Sequence, residues 1–175
     1  KEYTASRAQM QLVLPLTVLL IFGLLFALYS NFKFPFITVL GVLLSAPAGG
    51  ILALWLTDTP FSASSGIGFL ALFGVSVQTA VVYISYVNEL RRGGTTVTKA
   101  IREGAILRLR PIMMTALVAA LGLLPAALAT GVGTDTQRPF ALVIVSGLFT
   151  RLLISIFLMP VLYALVARPN DRLEV

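Results

Sequence analysis

The side chains of this sequence that could do chemistry are few, because its 175 residues include no cysteine and no histidine. Disulfides, thiolate or imidazole metal ligands, and nucleophiles paired with histidine are therefore excluded. What remains is a small set of polar residues inside long apolar runs, chiefly Gln78, Thr115 and Arg151. A polar group is costly inside a bilayer, so each of the three is a functional candidate.

Arg151 is the one full charge deep inside an apolar run, with about three helical turns of apolar or small residues on either side. An arginine at that depth without a partner would cost at least ~2.5 kcal/mol. No acid of the chain lies at a matching depth, and four acids fall near the ends of the runs: Asp58, Glu89, Glu103 and Asp135. Three partners therefore stay open: backbone carbonyls, an acid from another polypeptide segment, and a lipid phosphate reached by snorkelling.

Gln78 and Thr115 differ in how easily their polar groups are satisfied. A threonine hydroxyl can donate to the carbonyl four residues back, so Thr115 is also consistent with simple helix packing. The amide of Gln78 needs partners from another helix or from water, which indicates either a polar pathway or an interhelical contact. The chain offers no nucleophile with a base and no paired carboxylates, so an enzyme is disfavoured. Its methionines do not converge, so no metal site is predicted.

Membrane helices must position these residues. Hydrophobic residues make up 58% of the chain and charged residues 11%, too few polar residues to cover a soluble fold. A spanning helix needs about 20 mostly apolar residues, and five runs meet that length: 11–30, 36–56, 66–88, 111–130 and 139–167. We therefore predict an all-α polytopic membrane protein with five transmembrane helices over residues 11–167 and a polar tail at 168–175.

The basic residues outside these runs predict the orientation, because positive charges concentrate on the cytoplasmic side. Three lie on the side of the N-terminus: Lys1, Arg7 and Arg138. Nine lie on the other side: Lys33, Arg91, Arg92, Lys99, Arg102, Arg108, Arg110, Arg168 and Arg172. We therefore expect a periplasmic N-terminus and a cytoplasmic C-terminus. The net charge of +6 is explained by this asymmetry and gives no reason to expect nucleic acid.

Two local patterns predict how the helices pack. In the connection 91–110, one apolar stripe follows a glycine pair and predicts an amphipathic helix along the inner membrane surface; its members are Val97, Ala100, Ile101 and Ala105. Pro111 would then lie in the first turn of the fourth span. In the second span Gly41, Ser45 and Gly49 recur every four positions, which allows a partner helix to approach closely.

Six short segments occur in a characteristic order: GFLALFGV at 68–75, RLRPIMMT at 108–115, LLP at 123–125, TGVG at 130–133, QRP at 137–139 and LMPVLY at 158–163. In order and spacing they resemble the C-terminal end of resistance-nodulation-division efflux pumps, most of all the heavy-metal, cobalt-zinc-cadmium type. The resemblance covers essentially the whole chain. It implies spans eight to twelve, half of a twelve-span bundle, with residues 1–10 as the end of a periplasmic loop.

The resemblance also implies how the complete protein works. Such a pump is a homotrimer in the bacterial inner membrane, acts with a periplasmic adaptor and an outer-membrane channel, and exports substrate by proton antiport without a cofactor. The missing N-terminal part of the pump would carry the acids of the proton relay. Gln78, Thr115 and Arg108 match positions around that relay, and Gln78 cannot titrate, so it could only hold water or hydrogen-bond the acids. Arg151 stands where relatives have a small residue and could supply a counter-charge.

The identity of the substrate depends on two departures from the copper and silver branch of the family. That branch has a methionine where this chain has Gln137, and a lysine where it has Ile112. A thioether selects Cu(I) and Ag(I), whereas an amide oxygen has no such preference, so Zn, Co or Cd is favoured. Two alternatives stay open: a drug or lipid exporter of the same superfamily, and a non-transporting structural or sensing membrane domain.

Overall fold

The computed structural model describes residues 2–131 and 133–169 and contains five α-helices within them. They are α1 (Glu2–Tyr29), α2 (Lys33–Leu56), α3 (Ala63–Arg92), α4 (Val97–Leu128) and α5 (Thr134–Val166). Each contains a stretch long and apolar enough to cross a membrane. The all-α, five-span prediction is therefore confirmed. Residue 1 and residues 170–175 of the predicted tail lie outside the described residues.

Helix α5 is the central helix, because its packing against α2, α3 and α4 is the most extensive in the bundle. Helix α1 contacts only α2 and α3 and leaves most of its apolar side chains exposed. The larger buried cluster joins all five described helices near the end of the bundle where α3 ends, and includes Tyr29, Phe34 and Tyr163. A smaller cluster around Leu72 and Val143 lies toward the opposite end.

Capping residues determine where the helices begin and end. Helix α3 starts with a capping box, in which the amide of Ser65 donates to Ser62 Oγ and the amide of Ser62 donates to Ser65 Oγ. The chain then turns at Gly93 and Gly94, and Gly94 has φ of +87°, a conformation that favours glycine.

Helix α1 extends back to Glu2, beyond the predicted span, so residues 2–10 are helical.

The structure corrects the prediction for the connection 91–110. The expected amphipathic helix and the fourth span are one continuous helix, α4, and Pro111 lies inside it. Two causes account for this. Residues 105–110 include no glycine or proline that would end a helix, and membrane helices tolerate an interior proline because local adjustments and neighbouring groups satisfy the freed backbone carbonyls.

The apolar stripe of this segment is buried against α3. Ala100 is fully buried, and Tyr83 Oη donates to the carbonyl of Ile101 at 3.3 Å. Gly104 lies so close to α3 that a Cβ there would be 2.7 Å from Val87 Cγ2. The stripe therefore packs on a neighbouring helix, which is where amphipathic periodicity also directs an apolar face when a partner is available.

The Gly41, Ser45 and Gly49 face of α2 lies against α5. A Cβ at Gly41 would be 2.6 Å from Met159 Cε, and one at Gly49 would be 2.4 Å from Thr150 Oγ1. A Cβ at Gly49 would also be 2.6 Å from the backbone carbonyl oxygen of Ser146, and a backbone atom cannot rotate away as a side chain can. Any larger residue at position 49 must therefore move α2 away from α5.

We predict that Gly49→Ala lowers the free energy of unfolding by about 1–3 kcal/mol, because it overpacks the α2–α5 contact. Gly122→Ala is the matched control, since no atom lies within 4 Å of a Cβ at that helical position. It should leave stability unchanged or raise it by up to ~1 kcal/mol, as an alanine favours the helix over glycine. Unfolding of the two variants in detergent measures both effects. Equal stability of the two would contradict the close approach at Gly49.

Candidate functional site

Arg151 lies near the middle of the central helix and inside the bundle. It is 15 residues from the end of α5 at Val166 and 17 from its start at Thr134, so either end is about 22 Å or more away. Only 5% of the residue is exposed. The intramembrane charge that the sequence singles out is therefore deep along its helix and turned away from the outer surface.

A cavity of about 280 Å³ lies beside Arg151, between α3, α4 and α5. We call it the Arg151 cavity; it is lined by Ala71, Leu72, Val75, Ile112, Thr115, Ala116, Ala119, Ile144, Leu148, Arg151 and Leu152. Arg151 and Thr115 are the only polar residues in this lining. Because Ala71, Val75 and Thr115 are exposed, the cavity opens onto the face between α3 and α4. Apart from the charge of Arg151 and the hydroxyl of Thr115, the cavity lining is therefore apolar.

The guanidinium of Arg151 is incompletely satisfied within the part of the chain that the structure describes. Its Nη2 atom is buried and has no hydrogen-bond partner there. No ion pair joins Arg151 to any described acid. A buried donor without a partner forfeits hydration without compensation, and the cost is larger for a charged group. The side chain is therefore held in a position that needs a further partner.

Thr115 and Gln78 occupy different places around this cavity. Thr115 Oγ1 donates to the carbonyls of Pro111 at 3.1 Å and Ile112 at 3.0 Å, so its proton is used within its own helix. Gln78 is exposed and lies one turn beyond Val75 on the same face of α3, beside the cavity rather than in its lining. Arg151 and Thr115 are thus brought together, and Gln78 flanks the opening.

The other two candidates lie away from the cavity. Arg108 stands two turns before Thr115 on α4, about 10 Å along the helix, and its guanidinium lies 5.0 Å from the ring centroid of Tyr86. That geometry is a cation–π contact. Gln137 is exposed in the first turn of α5, 14 residues from Arg151 and therefore about 21 Å away along the helix.

Sequence reasoning missed a polar cluster where α3 and α5 end. Tyr163 Oη donates to Asn88 Oδ1 at 2.5 Å and accepts from Arg91 Nη1 at 3.0 Å, while Arg91 Nη2 donates to the carbonyl of Arg168. Tyr163 and Asn88 are both almost fully buried. A buried asparagine and tyrosine each signal a need for partners, but 75 residues separate the pair, so the sequence gives no indication that they meet.

Comparison with known proteins places this bundle in a family. Residues 1–167 match the model of the AcrB/AcrD/AcrF family. The chain is 40% identical over 174 residues to a cobalt-zinc-cadmium resistance protein of Cupriavidus metallidurans, covering 99% of this chain and 16% of that protein. A multidrug resistance protein of Photorhabdus laumondii is 38% identical over 173 residues, covering 95% of this chain and 16% of the relative.

A solved structure agrees in fold as well as in sequence. The X-ray crystal structure of a heavy metal efflux pump matches with a TM-score of 0.85 and 41% identity, over 94% of this chain and 16% of that one. The chain therefore spans about a sixth of the length of these relatives. The resemblance to the C-terminal membrane segment of heavy-metal efflux pumps is confirmed, and the chain belongs to the AcrB/AcrD/AcrF family of resistance-nodulation-division efflux transporters.

Proposed function

We propose that the chain is the C-terminal part of the membrane domain of a proton-driven pump that exports divalent heavy-metal cations. The observation that carries the proposal is the match in sequence and fold, along almost the whole chain, to a solved heavy metal efflux pump. The five described helices supply five spans of a larger membrane bundle, and the rest of the pump completes it. This protein would act as a secondary transporter and not as an enzyme.

The Arg151 cavity supports a role for this half of the bundle in proton coupling. Transporter sites lie near the midplane of the membrane at the interface between repeats. Arg151 is near the middle of α5, and Thr115 and Gln78 lie at the open face between α3 and α4. We propose that this face adjoins the N-terminal repeat and its relay acids, with Arg108 on the same helix as Thr115. Gln78 holds water or hydrogen-bonds an acid there, since its amide cannot titrate.

The complete pump is proposed to be a homotrimer of the bacterial inner membrane that works with a periplasmic adaptor and an outer-membrane channel. The five-helix bundle leaves broad apolar surfaces on α1, α2 and α4 exposed, including Leu19, Trp55 and Val118. Surfaces of that kind are stable only against lipid or other membrane helices. They therefore agree with a bundle that lies in a bilayer and is joined by further helices.

Zn, Co or Cd is the proposed substrate in preference to Cu or Ag. Gln137 is exposed at the start of α5, where the copper and silver branch has a methionine. An amide oxygen lacks the preference of a thioether for soft monovalent ions.

A second candidate is export of organic drugs, which is favoured by one observation: a multidrug resistance protein is nearly as similar to this chain as the metal-resistance relative.

Growth of a bacterial host without its own exporters tests the substrate. The host expresses the complete pump with its adaptor and channel, and growth is measured against increasing zinc, cobalt, cadmium, copper, silver and a panel of cationic drugs. We expect protection against zinc, cobalt or cadmium. Protection against copper and silver alone contradicts the metal preference, and protection against drugs alone replaces the proposal by the second candidate. Gln137→Met is expected to leave zinc resistance unchanged, as Gln137 contributes no selective ligand.

The orientation of the bundle gives a separate prediction. If the C-terminus is cytoplasmic, residues between α3 and α4 face the cytoplasm and residues between α2 and α3 face the periplasm. Single cysteines at two exposed positions report the two sides: Thr98, in the first turn of α4, and Thr57, directly after α2. This chain has no cysteine of its own. An impermeant maleimide added to intact spheroplasts should label Thr57→Cys and not Thr98→Cys. Labelling of Thr98→Cys without lysis would contradict the orientation.

A further inference from the structure

The outward face of helix α4 alternates between arginine and apolar side chains near the start of the helix. Arg102, Ile106 and Arg110 follow one another in steps of four residues, so they form one row along the helix surface, which we call the arginine row. All three residues are exposed. The other side of this segment packs on α3, where Ala100 and Gly104 are buried. The arginine row is therefore turned away from the five-helix bundle.

The two arginines of the row have no anionic partner in the part of the chain that the structure describes. Glu103 lies on the same face, but its carboxylate is 3.8 Å from Lys99 Nζ, one turn away. Neither Arg102 nor Arg110 forms an ion pair or a hydrogen bond with a described residue. A guanidinium stays charged under all physiological conditions. Once Lys99 and Glu103 have compensated each other, the face presents two positive charges.

The arginine row ends where the part of α4 that faces lipid begins. Beyond Arg110 the outward face is apolar, with exposed side chains at Met113, Met114 and Leu117. Arg110 therefore lies at the edge of the hydrocarbon, and Arg102 is about 12 Å farther out along the helix. The headgroup layer on one side of a bilayer is roughly 5–8 Å deep. Because helical side chains tilt toward the N-terminus of their helix, that of Arg110 points from the hydrocarbon toward this layer.

An anionic phospholipid satisfies every member of the row. The planar guanidinium of arginine can donate two parallel hydrogen bonds to the oxygens of a phosphate. Ile106 is 62% exposed between the two arginines, and the boundary between headgroups and acyl chains buries such a side chain favourably. A phosphate ion from solution would neutralise the arginines but leave Ile106 in water. A zwitterionic lipid would cover Ile106 without a net charge to compensate the arginines.

We propose that the arginine row binds the headgroup of an anionic phospholipid in the adjacent leaflet and anchors the start of α4 at the membrane surface. Arg102 and Arg110 contact the phosphate oxygens, and Ile106 lies against the upper part of the acyl chains. The proposal goes beyond the proposed function, because it requires only that the bundle lies in a bilayer. It depends neither on which ion is exported nor on which side of the membrane is cytoplasmic.

Thermal unfolding of the complete pump in detergent tests the proposal. The micelles contain added phosphatidylglycerol, added phosphatidylcholine, or inorganic phosphate without lipid. A ligand that binds only the folded state raises Tm. We expect phosphatidylglycerol to raise Tm by several degrees more than phosphatidylcholine does, and inorganic phosphate to leave Tm unchanged. The double variant Arg102→Gln/Arg110→Gln should lose at least half of the difference between the two lipids, and Arg110→Gln alone should lose part of it.

Arg138→Gln is the matched control for Arg110→Gln, because it also removes one positive charge but lies at the start of α5, at the opposite end of the bundle. It should keep the full difference between the lipids. Native mass spectrometry provides a second measure that does not depend on Tm, since it counts the phosphatidylglycerol molecules that each protein retains. We expect the unmodified pump to retain more of them than the double variant.

Three results would overturn the proposal. Equal Tm shifts with the two lipids would remove the need for a negative charge. An unchanged lipid difference in the double variant would place the lipid elsewhere, as expected if another helix of the pump covers the arginine row. A shift with inorganic phosphate as large as that with phosphatidylglycerol would indicate a site for a dissolved anion. If the pump exports no metal, the proposed function fails while the lipid shift remains measurable.

Discussion

Liposomes that contain only these 175 residues are expected to show no proton flux that depends on zinc, cobalt or cadmium. Proton-coupled transport requires titratable groups at membrane depth. The Arg151 cavity is lined by apolar residues, a threonine and an arginine, and Gln78 beside it cannot titrate. The described acids lie near the ends of helices, at Glu2, Asp58, Glu89, Glu103 and Asp135. No described carboxyl group therefore lies near the midplane to take up and release a proton.

A pH-sensitive dye trapped in the liposomes measures the flux after metal is added outside. The complete pump in matched liposomes is the positive control, and empty liposomes give the background leak. Metal-dependent acidification or alkalinisation above that background, from the 175 residues alone, would show that this half of the bundle carries its own relay. A flux equal to the background in both the short and the complete protein would instead contradict proton coupling itself.

The fold was predictable from hydropathy, and the helix ends were not. Long apolar runs report which residues cross hydrocarbon, and all five runs lie in helices. The ends depend on local chemistry that hydropathy does not measure, such as the capping box at Ser62 and the glycine turn after Arg92. Helix α4 is the clearest case. Its polar first turns belong to the same helix as the span, because nothing between Gly104 and Pro111 ends it.

The candidate site was predictable by residue type and only partly by position. Arg151 and Thr115 attract attention because a charge and a hydroxyl interrupt apolar runs. Their shared cavity depends on the rotation of α4 and α5 about their own axes, which is fixed by packing at many other residues. The same packing places Gln78 on the exposed face and puts Arg108 over the ring of Tyr86. Which of these candidate residues lie close together across helices could therefore be learned only from the structure.

The cluster of Tyr163, Asn88 and Arg91 shows the same limit and gives the largest expected effect on stability. Tyr163 is fully buried, and its ring lies 5.7 Å from that of Phe34 in a stacked arrangement. Its hydroxyl connects α5 to α3, because it forms hydrogen bonds with Asn88 and Arg91 near the end of α3. Tyr163→Ala should lower the free energy of unfolding by about 3–5 kcal/mol, because it opens a cavity the size of an aromatic ring and removes both hydrogen bonds.

Tyr163→Phe separates the hydroxyl from the ring. It keeps the packing but leaves the buried Asn88 Oδ1 without its donor, and Asn88 Nδ2 already has no partner among the described residues. We expect a loss of about 1–3 kcal/mol, the usual cost of a buried polar group left unsatisfied. Adding Asn88→Leu to Tyr163→Phe should recover part of that loss, since the orphaned amide is then gone.

Tyr86→Phe is the matched control, because Tyr86 is half-buried and its hydroxyl forms no hydrogen bond in the described structure. Unfolding in detergent compares the four variants. Equal stability of Tyr163→Phe and Tyr86→Phe would mean that the ring of Tyr163, and not its hydroxyl, holds α3 against α5.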